Sequence, residues 1–191
     1  MPGSKPAEAY DAFLEPLQKA LSCITNEPLI GRENSRKTGG KRTLTFPGDP
    51  AGLGGSGGLA LTVSFEYEIY KTGDTGKMKY RCRTHGYKHQ IVTDEFAEVI
   101  LFHWHPGEAE DRAGLPQRPH IHMGTELLAA DGRLTRRNHL PSGRVSLEDV
   151  VEFAITDLGV TPLRDDWQTV IDNTRALFEK HRTWGGRGLN Q

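Results

Sequence analysis

Cysteine is scarce in this sequence, and no apolar run is long. The 191 residues include two cysteines, Cys23 and Cys82, whose spacing matches no disulfide framework. We therefore expect both thiols to be reduced, small core residues, as is typical of cytosolic proteins. The densest apolar run, residues 99–102, is far shorter than the roughly 20 residues of a membrane span, and residues 1–6 lack the apolar core of a secretion signal. The sequence therefore predicts a cytoplasmic protein with no membrane partner.

Net charge is also small. Lys and Arg number 24 against 25 Asp and Glu, which gives a formal net charge of −1. This balance excludes a uniformly basic nucleic-acid-binding coat and a strongly acidic disordered protein. The charges are nevertheless segregated, because residues 71–93 and 112–144 are basic whereas residues 94–111 and 145–181 are acidic. A local anion-binding surface is therefore compatible with the composition.

The order of the predicted elements indicates an α+β fold. Apolar residues at helical spacing predict a helix over residues 7–22, and strands follow it. The predicted strands are residues 59–70, 77–92, 97–105, 120–130 and 133–137. Because strands are grouped together and helices come after them, we predict an antiparallel β-sheet with an N-terminal helix and two C-terminal helices packed on it.

The two C-terminal helices have recognisable starts. Ser146 and Asp149 resemble a capping box, and Gly159 ends the helix that they open. Pro162 introduces the second helix, which carries Trp167 on its apolar face. The length is that of roughly one domain. We therefore predict a single domain over residues 1–191, with a flexible glycine-rich loop near residues 48–58 and a short disordered tail from about residue 185.

Two His-x-His units are the strongest candidate for a site. They consist of His103 and His105, and of His120 and His122. Side chains two residues apart in a strand share a face, so each unit presents two imidazoles side by side. If the strands are neighbours, all four imidazoles converge, and imidazole both binds transition metals and transfers protons near neutral pH. We predict these four histidines as catalytic residues; the alternative is that they are half-exposed residues bonded to loop carbonyls.

Basic residues near these units suggest a nucleic-acid-binding surface. Residues 77–85 alternate between cationic and apolar side chains, so one face of that strand is basic, and a basic loop precedes Ser146. The predicted nucleic-acid-binding residues are Lys79, Arg81, Arg83, His85, Arg118, Arg136, Arg137 and His139. The alternative is an ordinary solvated strand face. A register slip of one residue would place the basic face and the histidines on opposite sides of the sheet.

Three functions fit these residues. In the first, the protein binds RNA and cleaves it without a cofactor: one His takes a proton from the ribose 2′-OH, another protonates the leaving oxygen, and an Arg or Lys stabilises the phosphorane. In the second, the protein is a metal-dependent enzyme. In the third, it is a non-catalytic interaction module that pairs with a partner through its amphipathic C-terminal helices.

The metal alternative comes with a resemblance. The spacing of Gly114, His120, His122, Glu126 and Gly132 resembles the first cupin motif, one residue short at its end. The resemblance implies that His120, His122 and Glu126 bind a divalent transition metal inside a β-barrel. The chain departs from the cupin pattern after this motif, because no ligand histidine follows residues 141–143 and the remainder is predicted to be helical.

A second resemblance covers residues 80–152. The sequences of residues 101–106 and 118–122, followed by the helix that Ser146 opens, resemble the TumE-type proteins of bacterial toxin–antitoxin systems. The resemblance implies a bacterial toxin-like protein that acts on RNA and is neutralised by a partner protein. It extends over less than half of the chain, and His105 and Pro106 replace the acidic or amide residues usual in that family.

Overall fold

The computed structural model of the chain describes residues 2–32, 34–55, 58–73, 76–105, 118–124 and 140–181. Within these ranges the helices are α1 (Pro6–Leu21), α2 (Leu147–Thr156) and α3 (Trp167–His181). The strands are β1 (Pro2–Gly3), β2 (Ile30–Gly31), β3 (Arg42–Thr45), β4 (Ala51–Gly52), β5 (Leu59–Lys71), β6 (Tyr80–Thr93), β7 (Glu98–Trp104), β8 (His120–Met123) and β9 (Leu140–Pro141).

These strands form one sheet in which every pairing is antiparallel. The order is β2-β3-β5-β6-β7-β8-β9, while β1 pairs with the beginning of β6 and β4 with the beginning of β5. The predicted α+β class is therefore confirmed, with one N-terminal and two C-terminal helices. Part of the predicted glycine-rich loop forms β4. The predicted strand at residues 133–137 and the tail from residue 185 lie outside the described residues.

The helices cover one face of the sheet, because the strands alternate in polarity. In β5 the odd-numbered side chains from Leu61 to Ile69 are buried, and fully burying such a side chain stabilises the fold by roughly 1.5–3 kcal/mol. Phe13 of α1 lies edge-on against Phe65, with ring centroids 5.6 Å apart, and Phe153 of α2 packs on Phe102 of β7. We call the opposite side of the sheet, which carries the even-numbered residues of β5, the outer face.

The local predictions around α2 and the cysteines are also confirmed. The Ser146 hydroxyl accepts a hydrogen bond from the Asp149 amide at 3.1 Å, and the Asp149 carboxylate accepts one from the Ser146 amide at 2.8 Å. This reciprocal pair satisfies two amides at the start of the helix. Cys23 and Cys82 are buried and free of disulfides. No helix in the described ranges is long and apolar enough to cross a membrane.

A β-bulge in β6 decides which residues share the outer face. Glu66 of β5 pairs with Gly86, whereas the next residue, Tyr67, pairs with Thr84, so β6 holds one extra residue. Before the bulge, Arg83 faces outward beside Glu68. After it, Lys88 faces outward beside Ser64. Because side chains alternate, the extra residue brings odd-numbered and even-numbered positions of β6 onto one face.

Candidate functional site

The four predicted histidines converge on the outer face. β7 and β8 are neighbours, with His103 paired to His120 and Leu101 paired to His122. The ring centroid of His103 lies 4.4 Å from that of His105 and 5.3 Å from that of His120. The rings of His120 and His122 lie 4.9 Å apart. The structure therefore brings together the two units that the sequence places 15 residues or more apart in the chain.

Three of these histidines form the tightest group. One ring nitrogen from each of three residues, His103, His105 and His120, lies within 4.8 Å of the other two nitrogens. We call these three residues the His triad. Zinc binds imidazole nitrogen at about 2.0–2.1 Å, so ligand nitrogens around a tetrahedral ion lie about 3.3 Å apart. Small rotations of the imidazoles about their side-chain torsions would close the remaining distance. His122 stands beside this group but outside it.

The ring of His120 is held in one orientation. Its Nδ1 lies 2.9 Å from the carbonyl oxygen of Arg118. Since a carbonyl oxygen only accepts hydrogen bonds, Nδ1 carries the proton and Nε2 carries the lone pair. A metal-binding histidine usually donates its other ring N–H to such a carbonyl, which fixes its tautomer. The main chain of Arg118 therefore orients His120, while the Arg118 side chain is exposed.

Burial keeps two imidazoles of the triad, those of His103 and His120, in their neutral form. Burial, reinforced by the neighbouring imidazoles of His105 and His120, lowers the pKa of His103 to about 4. Burial also lowers the pKa of His120, against the opposing effect of the Arg118 carbonyl. These two imidazoles are therefore neutral at pH 7 and carry lone pairs, which is the form that a metal requires.

The basic strand lies on the same outer face, where two of its residues, Arg83 and His85, bind one carboxylate. The Glu68 carboxylate accepts hydrogen bonds from Arg83 at 2.7 Å and from His85 at 2.9 Å, and both bonds lower the pKa of Glu68. Arg81 precedes buried Cys82 at the far end of β6, and Lys79 is exposed just before that strand. The remaining predicted residues, Glu126, Arg136, Arg137 and His139, lie outside the described residues.

A cleft adjoins the His triad. Its volume is about 330 Å³. Two triad residues, His103 and His105, line one side of it, and Glu66 and Lys88 line the other, with Gly86 between them. Sequence reasoning missed Glu66 and Lys88. Strict alternation from residue 77 would have placed Lys88 on the face opposite Arg83, and only the bulge reverses this.

Comparisons with known protein families, with curated proteins and with solved structures find no match. The resemblances to the TumE-type and cupin proteins therefore stay predictions from the sequence.

Proposed function

We propose that this protein is a metal-dependent hydrolase that binds a divalent transition metal, such as Zn²⁺, through His103, His105 and His120. The observation that carries the proposal is the approach of three imidazole nitrogens to within 4.8 Å of one another on two adjacent strands. The hydrogen bond from His120 to the Arg118 carbonyl supports it, because it leaves Nε2 as the ligand atom.

The three histidines that the described part of the chain brings together suit a catalytic metal rather than a structural one. Structural zinc sites are closed by four protein ligands, whereas catalytic sites have three protein ligands and leave one position for water. When bound, the metal supplies a water with a pKa near 7, and hence a hydroxide nucleophile at neutral pH. The cleft beside His103 and His105 gives a substrate access to that position.

This ligand set differs from the one that the cupin resemblance implies. His120 is common to both sets, but His103 and His105 take the places of His122 and Glu126. The outer face of an open sheet, backed by helices, also differs from the barrel interior in which cupins hold their metal. The proposal therefore depends on the geometry of this sheet and not on the resemblance.

Metal content and metal affinity test the proposal. We expect about one zinc ion per chain in protein purified without chelator, or after zinc is added to apoprotein. His103→Ala and His120→Ala should each lose this binding, because two imidazoles hold zinc far more weakly than three. His122→Ala is the matched control, since it removes an imidazole from the same face but outside the triad. At a free zinc concentration 100 times the dissociation constant, binding adds about 2.7 kcal/mol of stability.

Two outcomes would refute this ligand set. One is the absence of stoichiometric metal after zinc is supplied to wild-type protein. The other is a His122→Ala variant that loses the metal as completely as His103→Ala does.

A second candidate is the metal-free cleavage of RNA by a toxin-like protein with a neutralising partner. The observation that favours it is that the bulge in β6 places Arg83 and His85 on the same face as the four histidines. The same purified sample distinguishes the candidates. RNA cleavage that persists in EDTA and is lost in His120→Ala supports this candidate, and cleavage that requires zinc supports the first.

We also keep the expectation of a cytoplasmic location, which the two free buried thiols support.

A further inference from the structure

We infer that the cleft over Gly86 is the substrate site, and that it binds the phosphoryl group of a phosphate ester through Lys88. The inference names the substrate class of the proposed hydrolase and rests on that function for its catalytic consequence. The anion-binding step is a property of the cleft itself, so it can be measured without the metal.

Gly86 lines the cleft between two rows of outer-face residues. Across the outer face, Glu66, Gly86 and His105 lie in one row, and the row beside it consists of Ser64, Lys88 and His103. A Cβ atom on Gly86 would lie 2.9 Å from the main-chain oxygen of Trp104, 3.8 Å from the Cα of His105 and 3.9 Å from Glu66 Oε2. A side chain at this position would clash with the Trp104 main chain, so glycine alone fits here, and we call the part of the cleft between Glu66 and His105 the hollow.

Among the described residues around this hollow, Lys88 is the cation without a salt bridge. Lys41 forms an ion pair with Glu66 at 3.1 Å, and Arg83 and His85 both bind Glu68. Lys88 forms no such ion pair in the described ranges, although its charge also acts on the carboxylate of Asp49, where it partly opposes the rise in pKa that burial causes. Its register partner in β7 is His103, a member of the His triad. An anion in the hollow would thus meet an ammonium group immediately beside the proposed metal ligands.

Size and chemistry both favour a phosphoryl group. A volume of about 330 Å³ is at the small end of the range for ligand sites, so it accommodates a small ester or one residue of a larger substrate. Lysine binds phosphate as a point charge, and a divalent metal stabilises the charge that develops on phosphoryl oxygens. In the hydrolysis, a bond forms between the water oxygen and phosphorus. The ester P–O bond breaks, and a proton from the water goes to the leaving alcohol oxygen.

Titration with phenyl phosphate tests the inference on chelator-treated protein, with binding followed by calorimetry or ³¹P NMR. Lys88→Ala should weaken binding roughly tenfold to a hundredfold, the usual effect of removing a charged hydrogen bond. Lys88→Arg should retain most of the affinity, because it keeps the charge. Lys71→Ala is the matched control, because Lys71 is exposed at the far end of β5, and this variant should bind like wild type.

The outcomes separate this inference from the metal proposal. Zinc binding with phenyl phosphate affinity unchanged in Lys88→Ala would overturn the substrate site and leave the metal site intact. Phenyl phosphate binding that depends on Lys88 in a protein that never binds zinc would overturn the hydrolase and leave the anion site. Equal losses in Lys88→Ala and Lys71→Ala, or no binding by wild type, would refute the inference.

Discussion

A histidine in the core should make the protein sensitive to acid. His89 is fully buried on the helix-covered face, where its ring stacks on Tyr87 at 5.0 Å with an interplanar angle of 6°, and Phe65 lies on another side at 5.7 Å. Burial lowers its pKa from 6.5 to about 3. The unfolded chain is therefore protonated first, so stability falls as the pH drops below about 6.5 and continues to fall until about pH 3.

The size of this effect follows from the two pKa values. Between pH 7 and pH 5, proton binding by His89 in the unfolded state removes about 2 kcal/mol of stability, and the full shift corresponds to about 5 kcal/mol. Replacing His89 by Leu removes the titrating group and keeps an apolar side chain of similar volume. The variant should therefore retain about 2 kcal/mol that the wild type loses between these pH values, whatever its stability at pH 7.

Urea denaturation at pH 7 and pH 5 measures this difference. The matched control is Phe102→Leu, a buried change at the residue that pairs directly with His89 across β6 and β7. It should lower stability by a similar amount at both pH values, because no titratable group is removed. If His89→Leu and wild type lose the same stability between pH 7 and pH 5, burial of His89 is not a source of acid sensitivity and the reasoning is wrong.

Two further predictions concern positions that shape the site and the helix beside it. Gly86→Ala should lower the free energy of unfolding by about 1–3 kcal/mol, because the new Cβ atom would lie 2.9 Å from the main-chain oxygen of Trp104. Thermal unfolding measures this loss. Gly143→Ala is the control and should change stability little, because a Cβ atom added there would have no other atom within 4 Å. Ser146→Ala should lower the free energy of unfolding by about 1 kcal/mol, because it removes the N-cap of α2. Ser146→Thr should lose much less, because threonine keeps the hydroxyl that caps the helix. A Ser146→Ala variant as stable as wild type in urea would show that the cap contributes nothing.

The long elements were predictable because each carries a strong local pattern. The alternation of β5 and the Ser146 cap of α2 place both elements within a residue or two of their observed positions. Five short strands, β1 to β4 and β9, were not predicted. Two to four residues contain too few side chains to show a period, and such strands form because neighbouring strands offer unpaired main-chain groups at their edges.

The candidate site could be predicted only in part. A strand period of two residues gives the pairing of His103 with His105 and of His120 with His122, but whether the pairs meet depends on β7 and β8 being neighbours. The side of the sheet that Lys88 occupies could not be read from the alternation of residues 77–85, because one extra residue in β6 reverses it. The sequence signal for such an insertion is a glycine inside the strand, Gly86, because glycine is rare in strand interiors and often marks a bulge.

In the part of the chain that the structure describes, the paired charges of the outer face suit the small phosphate ester that we propose better than an extended nucleic acid. To bind a nucleic-acid backbone, Arg83 and His85 would have to exchange their hydrogen bonds to Glu68 for contacts with phosphate, and the Glu68 carboxylate would then repel the same backbone. Lys41 faces the same obstacle at Glu66. Because Glu66 and Glu68 neutralise these three side chains locally, the three attract a polyanion much less than unpaired basic residues would. Lys88, beside His103, forms no salt bridge in the described ranges, and although its charge also acts on Asp49, it lines a cleft whose size suits the phosphoryl group that we propose.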